Sequence, residues 1–239
     1  YEIPKRDWSS DVCSSDLARP GERARERGLV HGPAPARPLA RQALFPVQAV
    51  DVMRFTEVEH KFIVSPAFDL QAFARALAGA GQPRHISIRV RDRYYLTEPG
   101  RRGGYVFRHR YDTLIQQLTI KSLEDDSAVR DEVNIDLGHH AGDQADAVEA
   151  FVGRVGVAWT GTIVKDLNIW EFPDCEVVHY TASGGDRRVD CVEFEATEKT
   201  SLEGALAIVA RYERATGFDA STREIRPLFQ LLFPDAPAL

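Results

Sequence analysis

Alternation between apolar and charged side chains constrains the fold of this chain more than any other feature of its sequence. Residues two apart in a β-strand share one face. Near the only methionine, Glu57, Glu59 and Lys61 fall on one face of such a segment, and Val58 and Phe62 fall on the other. Later segments repeat the pattern, and their charged faces carry Arg108 and Arg110, Thr119 and Lys121, Arg130 and Glu132, and Glu193 and Glu195. The chain is therefore predicted to contain many strands with one apolar and one charged face.

The remaining sequence signals predict an α+β chain that is mostly antiparallel sheet. The predicted strands are Phe55–Val64, Ile86–Thr97, Gly104–Arg110, Leu114–Ser122, Ala128–Leu137, Trp159–Trp170, Glu176–Thr181 and Arg187–Thr197. Helical spacing predicts helices at Phe68–Ala80, Gln144–Val155, Leu202–Thr216 and around Glu224–Phe233. Turn residues such as Pro99-Gly100 and Gly184-Gly185 are typical of the hairpins that join neighbouring strands.

Two architectures fit strands of this kind. An open sheet would expose its charged face to water. A closed barrel would instead enclose the charged face. Acids concentrate on the first and last predicted strands and bases on the middle ones. Closure would therefore set carboxylates side by side, opposite Arg and Lys, which is an arrangement suited to a metal–polyphosphate. We expect the barrel.

Composition excludes several other classes. With 239 residues, 44% hydrophobic and a net charge of −6, the chain resembles a soluble globular protein and is a poor candidate for nucleic-acid binding. No apolar run has membrane-spanning length, and no signal peptide is apparent. The wide spacing of Cys13, Cys175 and Cys191 fits neither a zinc pattern nor a disulfide framework. We expect reduced thiols and a cytoplasmic location.

Residues 1–52 differ from the rest of the chain. They hold six of the 13 prolines and little apolar periodicity, which is typical of disorder. Residues 5–17, KRDWSSDVCSSDL, also resemble a translated sequencing adapter. We therefore expect a non-native segment, with the native protein starting at Met53 and one domain over 53–239. A genuine disordered extension is the alternative.

The order of the charged motifs resembles the CYTH domain, or triphosphate tunnel metalloenzyme, superfamily over about Arg54 to Phe233. The first motif, Glu57-Val58-Glu59-His60-Lys61, matches its ExExK signature. The later motifs that match are Arg108-His109-Arg110, Lys121, Arg130-Asp131-Glu132, Glu193-Phe194-Glu195 and the closing helix at Ile225–Leu232. The resemblance implies an eight-stranded antiparallel tunnel with peripheral helices.

The resemblance also implies roles for individual residues. Mg²⁺ or Mn²⁺ would be held by Glu57, Glu59, Glu193 and Glu195. A triphosphate would be bound by Lys61, Arg108, Arg110, Lys121, Arg130 and Lys165. The catalytic residues would be Lys61, Glu57 and Glu59.

Three positions depart from the family pattern. The usual Asp-Thr-Pro appears as Leu96-Thr97-Glu98-Pro99. The KxR strand appears as Lys165-Asp166-Leu167, so one phosphate contact is lost or supplied from elsewhere, for example by Arg226. The aspartate expected two strands from the end has no match in Glu176–Tyr180.

The predicted function is metal-dependent hydrolysis of an inorganic or organic triphosphate. Two alternatives remain open at this point. One is a class IV adenylyl cyclase that makes cyclic AMP from ATP, and the other is a non-catalytic module that binds polyphosphate or nucleotide. The sequence names neither the triphosphate nor the oligomeric state.

Overall fold

The computed structural model describes residues 55–123, 129–197 and 201–237. The predicted extension over 1–52 and the predicted start at Met53 lie outside these residues. No described helix is both long and apolar enough to cross a membrane.

Eight antiparallel strands form a closed barrel, which confirms the predicted fold. The strands are β1 (Phe55–Val64), β2 (Arg84–Thr97), β3 (Tyr105–Tyr111), β4 (Gln116–Ser122), β5 (Val129–Asp136), β6 (Val157–Glu171), β7 (Cys175–Gly184) and β8 (Arg187–Ala196). Their order around the barrel is β1-β5-β4-β3-β2-β6-β7-β8.

The first strand closes the barrel because its two halves have different partners. Residues Phe55 to Val58 pair with β5, and Glu59 to Val64 pair with β8. This brings the acidic first and last strands together. Since side chains alternate along each strand, one face of every strand points into the barrel and the other points out.

The outward face of the barrel packs under two helices. Helix α1 (Leu70–Ala80) begins at Asp69, whose side chain accepts a hydrogen bond from the Ala72 amide. It buries Phe73 and Leu77 in a core shared with Val58 and Phe62 of β1. Helix α4 (Leu202–Thr216) is capped by Ser201 and buries its apolar stripe in the same core. The outward apolar face of β1 is therefore covered, which leaves its charged face for the interior.

A short C-terminal helix packs against apolar interior residues of the barrel. Helix α5 (Leu228–Leu232) buries Leu228, Phe229 and Leu232 beside Val90 and Tyr94 of β2. It is shorter than the predicted helix at Glu224–Phe233. The helix begins only after Pro227, whose backbone is extended, because a proline disfavours helical backbone at the residue before it.

The two other α-helices of the described chain are α2 (Glu98–Gly103) and α3 (Ala145–Gly153), and a 3-10 helix lies at Ala220–Thr222. The sequence predicts a turn where α2 lies, because Pro99-Gly100 is a common turn pair. Thr97 instead caps a single helical stretch, in which Pro99 occupies one of the first positions, where proline is tolerated. The stretch ends at Gly104, whose φ of 66° is the left-handed conformation that favours glycine.

Candidate active site in the barrel interior

One cavity of about 470 Å³ occupies the barrel interior. All ten residues that the sequence singles out for metal or phosphate binding line it: Glu57, Glu59, Lys61, Arg108, Arg110, Lys121, Arg130, Lys165, Glu193 and Glu195. They come from β1, β3, β4, β5, β6 and β8. These strands are far apart along the chain, and barrel closure brings them together.

Three carboxylates form a compact group in this cavity. Glu57, Glu59 and Glu195 each offer one oxygen atom, and these atoms lie within 4.8 Å of one another. Among the described residues Glu193 is not part of this group, although it was predicted with it. Its carboxylate instead accepts a 2.6 Å hydrogen bond from the Tyr180 hydroxyl.

The acidic wall extends further than the sequence predicts. Strand register places Glu59 opposite Glu195, Glu195 opposite Glu176, and Glu176 opposite Glu171. All four line the cavity, so a row of carboxylates crosses four neighbouring strands. Burial and the neighbouring Glu171 raise the pKa of Glu176. Glu171 shares a strand face with Lys165, because the two residues are separated by an even number of positions. The alternation in the sequence could therefore have identified Glu171 as an interior residue.

The basic wall lies on the middle strands and is paired with acids. Lys121 Nζ lies 2.6 Å from Glu57 Oε2 and 3.3 Å from Glu132 Oε2. Arg108 lies 3.2 Å from Glu132, and Arg130 lies 3.5 Å from Glu59. The interior is therefore a network of alternating charges rather than two separate walls.

Burial and charge together set the protonation of this network. Burial opposes ionisation of Glu59, but Lys121 and Arg130 outweigh it and lower the pKa of Glu59 to about 2. Burial raises the pKa of Glu57. The positive charge of Lys121 offsets only part of this rise, and the negative charge of Glu59 adds to it. The pKa values of these two neighbouring carboxylates of β1 are thus shifted in opposite directions, because burial dominates at Glu57 and the nearby cations dominate at Glu59.

A fully buried carboxylate that the sequence analysis missed organises two of the cations. Asp92 of β2 accepts two hydrogen bonds from Arg110, each 2.8 Å long, and lies 3.1 Å from Lys165 Nζ. Despite burial, these cations hold the pKa of Asp92 well below its usual value. The available signal was an acid between Val90 and Tyr94 on an otherwise apolar strand face.

The C-terminal segment reaches the interior through Lys61. Its ammonium donates a 2.6 Å hydrogen bond to the Arg226 carbonyl, and burial lowers the pKa of Lys61. The Arg226 side chain is exposed and forms an ion pair with Glu224. Arg226 therefore contributes its backbone to the site, and its guanidinium does not replace the contact that Leu167 lacks.

Leu167 lies on the cavity wall, two residues beyond Lys165. Asp166 between them faces outward and pairs with Arg89. Position 167, which carries a basic residue in the KxR pattern of the family, is thus an apolar part of the interior surface.

Comparison with known proteins agrees with this geometry. Residues 56–216 match the CYTH domain family. The PH1012 protein from Pyrococcus horikoshii OT3 has a similar fold, with a TM-score of 0.57 at 20% identity, over 74% of this chain and 99% of that one. A conserved hypothetical protein from Pyrococcus furiosus gives a TM-score of 0.53 at 23% identity, over 73% of this chain and 99% of that one.

A third similar structure is a protein provisionally named an adenylate cyclase, from Vibrio parahaemolyticus. It has a TM-score of 0.54 at 18% identity, over 74% of this chain and 97% of that one. No curated protein matches the chain by sequence. Because the family match spans more than half of the sequence and the barrel agrees with it, the chain belongs to the CYTH domain family.

Proposed function

We propose that this protein hydrolyses the terminal phosphoanhydride bond of a triphosphate, with a divalent cation, inside its barrel. The observation that carries the proposal is the group formed by Glu57, Glu59 and Glu195, which shares one cavity with six Lys and Arg residues. The CYTH superfamily includes triphosphatases and cyclases, so the family match supports an enzymatic role and leaves the reaction to the chemistry of the site.

The donor set fits a hard divalent cation. Three carboxylate oxygens within 4.8 Å of one another suit Mg²⁺ or Mn²⁺, which prefer oxygen ligands. The charge balance supports the same conclusion, because eight acidic and six basic described residues line the cavity. Such a lining does not favour a polyanion alone, whereas a bound cation would offset the excess of acids. When bound, the cation would neutralise phosphate charge and lower the pKa of a coordinated water.

The basic residues would bind and orient the phosphates. Arg108, Arg110 and Arg130 carry planar guanidinium groups that suit phosphate oxygens, and Lys121 and Lys165 add compact charges. In the described network these groups are held by acids. A triphosphate with its cation would replace those acids as their partner, so the binding groups are already positioned before the ligand enters. Phosphoryl transfer depends mainly on such positioning and charge neutralisation.

The surroundings of Lys61, which lines the cavity, support a role for it in this reaction. It lies on the same strand face as Glu59, and the Arg226 carbonyl holds its ammonium at 2.6 Å. We assign it to binding a phosphate oxygen. We also assign it to assisting in placing or deprotonating the attacking water; burial lowers its pKa, which is the direction that a proton acceptor needs.

The test is phosphate release by protein starting at Met53. Tripolyphosphate, ATP and thiamine triphosphate are supplied with Mg²⁺ and then with Mn²⁺. Glu57→Ala and Arg110→Ala should each lower kcat/KM by about 10- to 150-fold, since a hydrogen bond to a charged group is worth about 1.5–3 kcal/mol. Glu203→Ala and Arg102→Ala, at exposed helical positions, serve as matched controls. Unchanged metal-dependent hydrolysis in both interior variants contradicts the proposal.

Product analysis separates hydrolysis from the alternatives. Cyclic AMP formed from ATP would identify a cyclase. Binding of tripolyphosphate without turnover, across several divalent metals, would identify a binding module.

A further inference from the structure

Part of the cavity wall is apolar although the rest is charged. On β2, β6 and β7, Ile88 lies opposite Leu167, and Ile169 lies opposite Val178. Leu114 and Ile115, in the connection between β3 and β4, line the same cavity. We name these six residues the apolar collar. The four on β2, β6 and β7 belong to or pack against one apolar cluster, and the two in the β3–β4 connection line the same cavity.

The collar adjoins the predicted phosphate-binding residues. Leu167 follows Lys165 on the same strand face, and Ile88 precedes Asp92 by two interior positions. Next to β2 in the barrel, Leu114 and Ile115 come shortly after Arg110 of β3. The collar therefore begins where the group of Asp92, Arg110 and Lys165 ends.

The outer part of the collar is accessible from solvent, whereas Leu167 and Val178 are buried. Leu114 is 58% exposed, and Ile88, Ile115 and Ile169 are half-buried. The collar's buried residues Leu167 and Val178 belong to the same apolar cluster as Leu228 and Phe229 of α5. A ligand that enters beside Leu114 would leave its outer end in contact with the collar.

An inorganic triphosphate gives this surface nothing to bind. Its oxygens lose water against an apolar wall without gaining a hydrogen bond, which is unfavourable. An apolar group attached to the triphosphate would instead gain from leaving water. Leu167 stands where the family pattern has a basic residue, so it also makes this part of the cavity wall more favourable for an apolar group.

We propose that the apolar collar binds the organic group of an organic triphosphate, so that the enzyme prefers such esters to inorganic tripolyphosphate. This inference rests on the proposed function, since it uses the charged part of the same cavity for the phosphates. It commits to an uncharged, apolar organic group as the occupant of the collar.

The test varies the organic group and keeps the phosphates constant. Methyl, propyl and pentyl triphosphate are compared with tripolyphosphate by calorimetric binding, with Mg²⁺ present, and by kcat/KM. Affinity should rise by about fourfold for each added methylene that the collar buries, and tripolyphosphate should bind most weakly.

Leu114→Ser is the first variant, because its exposure makes a folding defect unexpected. It should reduce the preference for pentyl over methyl triphosphate by about threefold to tenfold and leave tripolyphosphate binding unchanged. Leu167→Asn should act in the same direction. Leu202→Ser, at an exposed leucine of α4, is the matched control.

Equal affinity for all four ligands would contradict the proposed role of the collar. An equal effect of Leu114→Ser on the binding of every ligand would contradict it as well. Because binding is measured apart from turnover, the two proposals fail separately. Chain-length-dependent binding without hydrolysis supports the collar and contradicts the triphosphatase. Hydrolysis that is fastest with tripolyphosphate and insensitive to chain length supports the triphosphatase and contradicts the collar.

Discussion

Asp92 accepts two hydrogen bonds from Arg110, each 2.8 Å long, at a position in the barrel where Asp92 is fully buried. The same carboxylate lies 3.1 Å from Lys165 Nζ. Two cations that would otherwise repel each other are thus held together by one acid. Asp92 can orient both of them toward the cavity without lining it.

Asp92→Asn should therefore weaken triphosphate binding and stability together. The amide keeps the shape of the side chain but removes the charge that offsets Arg110 and Lys165. Breaking a buried pair of this kind costs about 3–5 kcal/mol. Urea denaturation should show a loss of that size, and KM should rise more than kcat falls, because binding geometry is what changes.

Asp166→Asn is the matched control for this prediction. Asp166 lies next to Lys165 but faces outward, where its pair with Arg89 is exposed. Exposed pairs contribute little to stability, so its effect should stay below about 1 kcal/mol. An Asp92 variant that loses stability but keeps the wild-type KM would show a purely structural role.

Divalent cations should stabilise the protein in the absence of any phosphate. A ligand that binds only the folded state adds about 2.7 kcal/mol at 100 times its Kd. For a domain of this size that corresponds to a rise in Tm of about 5–11 °C. Differential scanning calorimetry with Mg²⁺ or Mn²⁺ measures the rise.

The acidic group predicts which variants lose the metal response. Glu195→Gln should reduce the rise in Tm strongly, because Glu195 offers one of the three clustered oxygens. Glu193→Gln should reduce it less, since that carboxylate is bound to Tyr180. The reverse order would place the cation at Glu193 and away from the cluster.

Acid should destabilise the protein through its interior carboxylates. Burial opposes ionisation of Glu132, but Lys121 and Arg108 lower its pKa to about 2, whereas an unfolded glutamate titrates near about 4.3. Between these values the unfolded state binds more protons, so stability falls as the pH falls. The urea midpoint should drop between about pH 4.3 and pH 2. Glu57 has the opposite effect on stability, because its raised pKa means that the folded state binds this proton more strongly than the unfolded state does.

Glu132→Gln isolates this contribution. Its stability should depend less on pH in the same window, and an exposed control, Asp186→Asn, should follow the wild type. Identical slopes for wild type and Glu132→Gln would mean that Glu132 does not couple folding to protons.

The barrel was predictable because its signal is local and repeated. The period of two marks each strand, and the segregation of acids and bases along the chain indicates which strands must meet. The pairing of β1 with β8 confirms that inference. Element ends were less predictable, as at Leu114, where the expected strand is a turn because Asp112 accepts hydrogen bonds from the Leu114 and Ile115 amides.

The partners inside the cavity could not be predicted from spacing. The sequence shows that Arg110 shares a face with Arg108, but Asp92 meets Arg110 only through the register between β2 and β3. Glu176 joins the carboxylate row in the same way, through its register with Glu195. Roles for these residues depend on neighbours across strands, and one sequence contains no measure of those distances.

A buried pair outside the barrel should control how firmly the C-terminal segment holds Lys61. His60 Nδ1 donates a 2.6 Å hydrogen bond to Glu213 of α4, and its Nε2 accepts one of 3.1 Å from Arg223. The next residue, Glu224, donates its amide to the Lys61 carbonyl at 2.7 Å. Glu213→Ala leaves the His60 donor without its partner, which costs about 1–3 kcal/mol. We expect a Tm lower by about 2–12 °C and faster hydrogen exchange at the Glu224 amide. Glu213→Gln keeps an acceptor and should recover part of both. Unchanged exchange at Glu224 in Glu213→Ala would show that His60 does not secure this segment.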